Sequence, residues 1–344
     1  MIKRIPNIYP HESVCSWLGR MYAQSGFIFH RYFTKEIFLF QFERIDFNFI
    51  NLFNKDFKKL IKETIGFEEL LLNHTLFKYY SRFIDYKERE VTYKLGSKNK
   101  ELISKRLHIL SNKKNYYLRY CPYCVKEDRI KYGECYFHIE HQIYDLNRCP
   151  IHNVKLVNTK IPNDKDSDVS FFTLEQLEPI EDGIVLKNDI NYLITKYIYD
   201  VFNSSLEINN DVVISDYLSS KLNRSQCVDN ACTKKNILKL TKEISLFYKD
   251  LDHKPFSYYY VCDIYRGAKI SPYDVLLIAY YHNISSDEIS HLRLPKENIR
   301  RPIMRRVYDL YNQGYSVSQI SRLVSRKEKQ VKRIVDGYLK IKNN

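Results

Sequence analysis

Apolar positions in this chain recur at helical spacing. Val14, Trp17, Leu18 and Met21 fall at i, i+3, i+4 and i+7, one stripe of a helix, with Ser13 as N-cap and Gly26 just past the end. Leu60, Ile61, Thr64 and Ile65 predict a second helix, and Leu72, Leu76, Tyr79 and Phe83 predict one over 70–83. Residues 190–202 read as a helix with a plain solvated face, which is also a candidate surface for a protein partner. Residues 273–282 form an apolar helix, followed by a short one that Ser285 and Glu288 cap. The last 44 residues are the most regular. Ile303, Val307, Leu310 and Tyr311 make a stripe that ends at Gly314. Ser316 with Gln319 opens a helix carrying Ile320, Leu323 and Val324. Ser325 with Glu328 opens a third, with Val331, Ile334 and Val335 inward and Gly337 closing it. Three short helices with a tight turn match a helix-turn-helix. The pattern predicts a mainly α, multidomain chain.

Length and charge divide it. At about 100–200 residues per domain, 344 residues make two or three domains. An apolar fraction of 44% excludes a disordered chain. The net charge of +14 points to an anionic partner, but a chain rich in Lys, Asn, Ile, Tyr and Phe gains lysines from composition alone. The distribution says more: +11 over 1–160, −8 over 161–215, +3 over 216–300 and +8 over 301–344. These segments are expected to be a helical domain with an embedded zinc module, an acidic linker or helical region, a helical domain whose 273–292 stretch is a candidate second helix-turn-helix, and the terminal helix-turn-helix. The polar run Asn163-Asp164-Lys165-Asp166-Ser167-Asp168 marks the first boundary. No apolar run approaches the roughly 18 residues of a membrane span, and no apolar segment follows Lys3 and Arg4 as in a secretory signal. A cytoplasmic protein is expected.

In such a chain, clustered cysteines read as metal ligands rather than disulfides. Cys121-Pro-Tyr-Cys124 is a CxxC pair, and Cys149-Pro-Ile-His152, 25 residues past Cys124, is a CxxH pair. Two such turns can give one zinc four ligands, a closed structural site with no position for water. By spacing alone Cys135 and His138, with His141 a turn further, are about as good a second pair. Cys15, Cys227, Cys232 and Cys262 are scattered and read as packing thiols, Trp17 as a core anchor and His74 as a packed core histidine.

Three blocks over residues 4–156 resemble the TniQ/TnsD family of transposon target-site selection proteins. They are Pro10-His-Glu12-Ser13-Val-Cys-Ser16-Trp17-Leu18-Gly-Arg20; His74-Thr75-Leu76 with Tyr79, Tyr80 and Phe83; and Arg119-Tyr120-Cys121-Pro122-Tyr-Cys124 through Gly133-Glu134, His138, His141-Gln142, Cys149-Pro150 and His152. The resemblance favours Cys121, Cys124, Cys149 and His152 as ligands of one structural zinc, because the family's pattern has no cysteine at 135. The chain departs in Phe137, where the family commonly has Trp, and in Ile143-Tyr144-Asp145, where it has Leu-Pro-Gly. The resemblance implies a protein without catalytic activity. It would choose an insertion site on double-stranded DNA and recruit an AAA+ ATPase and a transposase, or dock on an RNA-guided complex as an adaptor.

The third terminal helix is the DNA-reading candidate, through Arg326, Lys327, Lys329, Gln330, Lys332 and Arg333. Arg and Lys pair with guanine edges, Gln with adenine, and the remaining cations with phosphates. An adaptor that reads no DNA itself would not need them. No glycine precedes a lysine in a P-loop pattern, and no two-metal carboxylate motif is present, so ATPase and nuclease readings are unsupported.

Overall fold

The computed structural model describes residues 2, 5–39, 48–103, 107, 117–162, 171–177, 182–222, 234–252, 256–267, 271–294, 303–324 and 326–342. The 163–168 linker, Cys227, Cys232 and Ser325 lie outside them. The fold is mainly helical, as the periodicity predicts. In chain order the helices are α1 (Val14–Ser25), α2 (His30–Ile37), α3 (Lys55–Thr64), α4 (Phe67–Asn73), α5 (Phe77–Tyr80), α6 (Tyr86–Gly96) and α7 (Pro122–Tyr132). They continue as α8 (Ile190–Asn203), α9 (Ile214–Ser220), α10 (Lys234–Phe247), α11 (Tyr258–Arg266), α12 (Pro272–Tyr281), α13 (Ser286–Ser290), α14 (Ile303–Asn312), α15 (Val317–Leu323) and α16 (Glu328–Lys342). Strands β1 (Tyr117–Tyr120) and β2 (Val157–Pro162) pair antiparallel, Arg119 opposite Asn158 and Tyr120 opposite Val157. No described helix is long and apolar enough to cross a membrane.

Helix α1 forms as its sequence dictates. The Ser13 side chain accepts from the Ser16 N–H, and Gly26 closes the helix in the left-handed conformation at φ 74°. Trp17 and Leu18 are fully buried, and the Trp17 indole donates to the Pro6 carbonyl. Gly19 lets the chain at Phe172 cross the helix: a Cβ there would lie 2.3 Å from the Phe172 carbonyl oxygen.

The stretch expected as one helix over 70–83 is instead α4, α5 and a 3-10 turn, Ser81–Phe83. The break falls where the His74 imidazole Nδ1 lies 2.7 Å from the Glu12 carbonyl and the Thr75 hydroxyl bonds the Leu71 carbonyl. Those bonds seat both side chains in the core, at the expense of a continuous helix.

Helix α8 forms over the expected stretch. Ile194, Thr195, Tyr197, Ile198, Val201 and Phe202 are buried, so one face of α8 belongs to the core, and its solvated face carries Leu193, Lys196 and Asp200. One apolar cluster includes α8 together with residues from Val14 to Leu292. Arg82 donates to the Ser204 and Ser205 carbonyls just past α8, and Arg89 to those of Ile208 and Asn210. Cations there satisfy backbone carbonyls of the loop that follows α8. Helices α12 and α13 share that cluster, and the Ser285–Glu288 capping box forms as expected.

The last three helices have their own small core of Val307, Ile320, Val324, Val331 and Val335, with Leu310, Tyr311, Ile334 and Leu339 packed against it. Ser316 and Gln319 form the expected capping box. Helix α16 runs through Gly337 to Lys342 rather than stopping there. Val331, Val335 and Leu339 continue one stripe at i, i+4 and i+8, and that packing outweighs the roughly 1 kcal/mol a helical glycine costs.

Candidate functional site

Two short turns bring four side chains together. Cys121 follows β1 at the N-cap position of α7, and Pro122 holds the first helical position, where a missing N–H leaves no hydrogen bond unmade. Cys124 then lies one turn into the helix. The second turn closes with Cys149 N–H donating to the Val154 carbonyl and Asn153 N–H to the Cys149 carbonyl. Asn153 adopts φ 50°, and the His152 N–H points at the Cys149 sulfur, 3.5 Å away.

The ligand atoms of Cys121, Cys124, Cys149 and His152 all lie within 4.8 Å of one another. His152 Nδ1 is 3.6, 3.4 and 3.7 Å from the Cys121, Cys124 and Cys149 sulfurs, and the Cys124 and Cys149 sulfurs are 3.8 Å apart. A tetrahedron with metal–sulfur bonds of about 2.3 Å and metal–nitrogen bonds of about 2.05 Å has edges of about 3.8 and 3.6 Å. The cluster therefore has the size and donor set of a four-coordinate metal site. Shared protons split the thiols: hydrogen bonds from Cys124 and Cys149 pull Cys121 down, whereas Cys124 and Cys149 are pushed up, Cys149 to about 12. Metal binding requires all three as thiolates, so protons would leave when an ion enters.

The surroundings fix the ligands. Glu127, three residues past Cys124 on α7, reaches His152 Nε2 at 3.0 Å and orients the ring with Nδ1 toward the sulfurs. Sequence reasoning missed Glu127; its only signal is the i+3 spacing. His141 Nε2 lies 3.8 Å from the Cys124 sulfur, and burial, with His138 adding to it, lowers the His141 imidazole to about 3, so it is neutral.

The rival pair does not join this cluster. Cys135 is buried beside Glu175, which also accepts its backbone N–H. His138 Nε2 bonds Asp128 at 2.9 Å and its Nδ1 lies 3.5 Å from Glu140. Burial opposes charge on His138, but Asp128 and Glu140 hold it up at about 10. Cys15 and Cys262 are buried among apolar side chains, as expected of packing thiols.

The remaining block residues tie this module to α1. Glu12 is fully buried, accepts from the Ser16 hydroxyl at 3.0 Å and pairs with Arg20 at 2.8 Å. Burial raises its carboxyl to about 7 in spite of Arg20. Arg20 also reaches Glu134 at 2.8 Å, just past the left-handed Gly133 that ends α7. Ser13 N–H donates to the Phe137 carbonyl, and Phe137 N–H to the Ser16 hydroxyl. Arg119 donates to the Ile143 and Leu146 carbonyls, and Gln142 exchanges two hydrogen bonds with the Arg119 backbone. Thus Arg119 holds the turn where Ile143-Tyr144-Asp145 departs from the expected pattern.

The six DNA-reading candidates cluster at one end of the terminal unit. Arg326 and Lys327 precede α16, while Lys329, Gln330, Lys332 and Arg333 occupy its first two turns. All six are exposed, and none of the cations has an ion-pair partner among the described residues.

Fold and site together define a mainly helical protein built around a closed Cys3His cluster of metal-site geometry. Residues 4–156 match the TniQ family, so over that segment the chain is a TniQ domain and the protein is transposition-associated. A search of curated proteins returned no match.

Proposed function

We propose that this protein selects transposon insertion sites by binding double-stranded DNA, with its TniQ domain presenting the bound site to an AAA+ ATPase and a transposase. It acts without catalysing a reaction. Cys121, Cys124, Cys149 and His152 would hold one zinc ion, which supplies a structural cross-link and leaves no position open for a substrate. The chain's own residues do the rest: Glu12, Arg20 and Glu134 lock α1 to the metal module, and the terminal unit meets DNA.

One observation carries the DNA reading. Arg326 and Lys327 just before the third helix of a helix-turn-helix-like unit, and Lys329, Lys332 and Arg333 on it, are exposed and unpaired. An adaptor that only docks on an RNA-guided complex gives no role to such a row. Footprinting the full chain on DNA flanking its native element tests the reading, with Arg326→Glu/Lys329→Glu as control. A discrete footprint lost in the double variant is the expected result. No footprint, with intact binding to an effector complex, would favour the adaptor.

A further inference from the structure

The surface of α16 is not uniformly basic. Val331, Val335 and Leu339 face the core, so the opposite side of the helix points outward. With Ile334 also packed against that core, at about 100° per residue the outward side centres on Arg333, with Lys329 and Asp336 beside it. Gln330 and Lys332 lie on its two flanks. Asp336 is exposed, as Lys329 and Arg333 are. It has no ion-pair partner among the described residues, although Lys332 is four positions before it and Arg333 three. The lysine-before-carboxylate order is the weaker i,i+4 arrangement, so neither Lys332 nor Arg333 neutralises the carboxylate.

A lone carboxylate in a row of cations has a definite consequence on DNA. It is repelled by phosphates and by the acceptor edges of guanine and thymine. The major-groove donors are the cytosine N4 and adenine N6 amino groups, and at adenine the adjacent N7 acceptor repels a carboxylate, which leaves cytosine as the better partner. Arg333, on the same face, has the two-pronged geometry that fits guanine O6 and N7. The helix rises about 1.5 Å per residue, so Lys329, Arg333 and Asp336 span about 10 Å. That is about three base-pair steps of 3.4 Å.

We infer that Asp336 is a specificity-determining residue: it reads a cytosine next to the guanine read by Arg333, with Lys329 about two steps further and Gln330 and Lys332 turned toward the groove walls. The inference rests on the proposed DNA reading and adds a position to it. Asp336 contributes by discrimination rather than by affinity, because its charge opposes binding to DNA of any sequence. The outer row of α16 therefore reads bases over a short stretch, and the cations beside it set register on the backbone.

The test is selection of bound duplexes from a randomised pool by the full chain, comparing wild type with Asp336→Ala, Asp336→Asn and Arg333→Ala. Thermal melts would confirm that each variant folds, as an exposed substitution should. Wild type is expected to select a short motif containing adjacent guanine and cytosine. Asp336→Ala should lose about fivefold or more of the cytosine preference at one position, keep the rest of the motif, and bind unrelated DNA more tightly. Arg333→Ala should lose the neighbouring guanine. A uniform tightening on all sequences with an unchanged motif would overturn the role of Asp336 while leaving DNA reading in place. A wild-type chain that selects no motif would overturn the DNA reading itself.

Discussion

The metal-bearing module and the terminal three-helix unit handle charge in opposite ways. Around the Cys3His cluster, charged side chains are buried and paired: Glu12 with Arg20, Arg20 with Glu134, and His138 between Asp128 and Glu140. In the terminal unit five valine and isoleucine side chains form the buried core, and the cations of the 326–333 segment stand outside it unpaired. A buried ion network specifies one arrangement and breaks badly when a partner is lost. An exposed, unpaired row adds little to stability and stays available to an anionic ligand. The first pattern is that of a scaffold, and the second is that of the contact surface proposed above.

The largest way to break this comparison is metal removal. Chelation, or Cys121→Ser or Cys149→Ser, should unfold the TniQ domain, since structural zinc contributes on the order of 10 kcal/mol in small modules. Elemental analysis should find about one zinc per chain in the native protein. Circular dichroism and limited proteolysis before and after chelation give the readout, and a metal-free chain that stays fully folded defeats the metal-site reading.

Next in size is Arg20→Ala, which strands the buried Glu12 carboxylate and should cost about 3–5 kcal/mol near neutral pH. The loss should shrink on acidification. Burial already holds Glu12 at about 7, whereas in the unfolded chain it stays ionised to about 4.3. The folded variant then binds more protons than the unfolded one, so its stability falls as pH rises. Denaturant melts at several pH values measure this, and a pH-independent deficit would assign the effect to packing alone.

Smaller again is Glu127→Ala, which frees His152 Nε2. It should weaken metal affinity about 10- to 100-fold in a chelator competition while leaving the metal-loaded fold intact. The smallest effect belongs to the terminal unit. Ser316→Ala removes the N-cap of α15 and should cost about 1 kcal/mol, read from local hydrogen exchange in 303–342, without altering metal content. If the two regions were energetically one, this change would also lower metal affinity.

Much of the molecule was legible in the chain because its signals are local. The α1 stripe, the Ser13 and Ser316 caps, the left-handed Gly26 and Gly314 and the CxxC and CxxH turns depend on residues only a few positions apart, and each forms as its spacing predicts. Sequence alone determined a mainly helical chain, two cysteine-bearing turns and a basic terminal unit. Tertiary structure decided which pair completed the cluster. Cys149 and His152 meet Cys121 and Cys124, while Cys135 and His138 are taken up by Glu175 and Asp128, partners 40 and 10 positions away. It also decided that one face of α8 is core, that the 70–83 segment breaks at His74 to meet Glu12, and that α16 continues past Gly337. In each case a contact distant in sequence outweighs a local preference. Local propensities amount to about 1 kcal/mol per residue at most, whereas one buried side chain or buried ion pair is worth several.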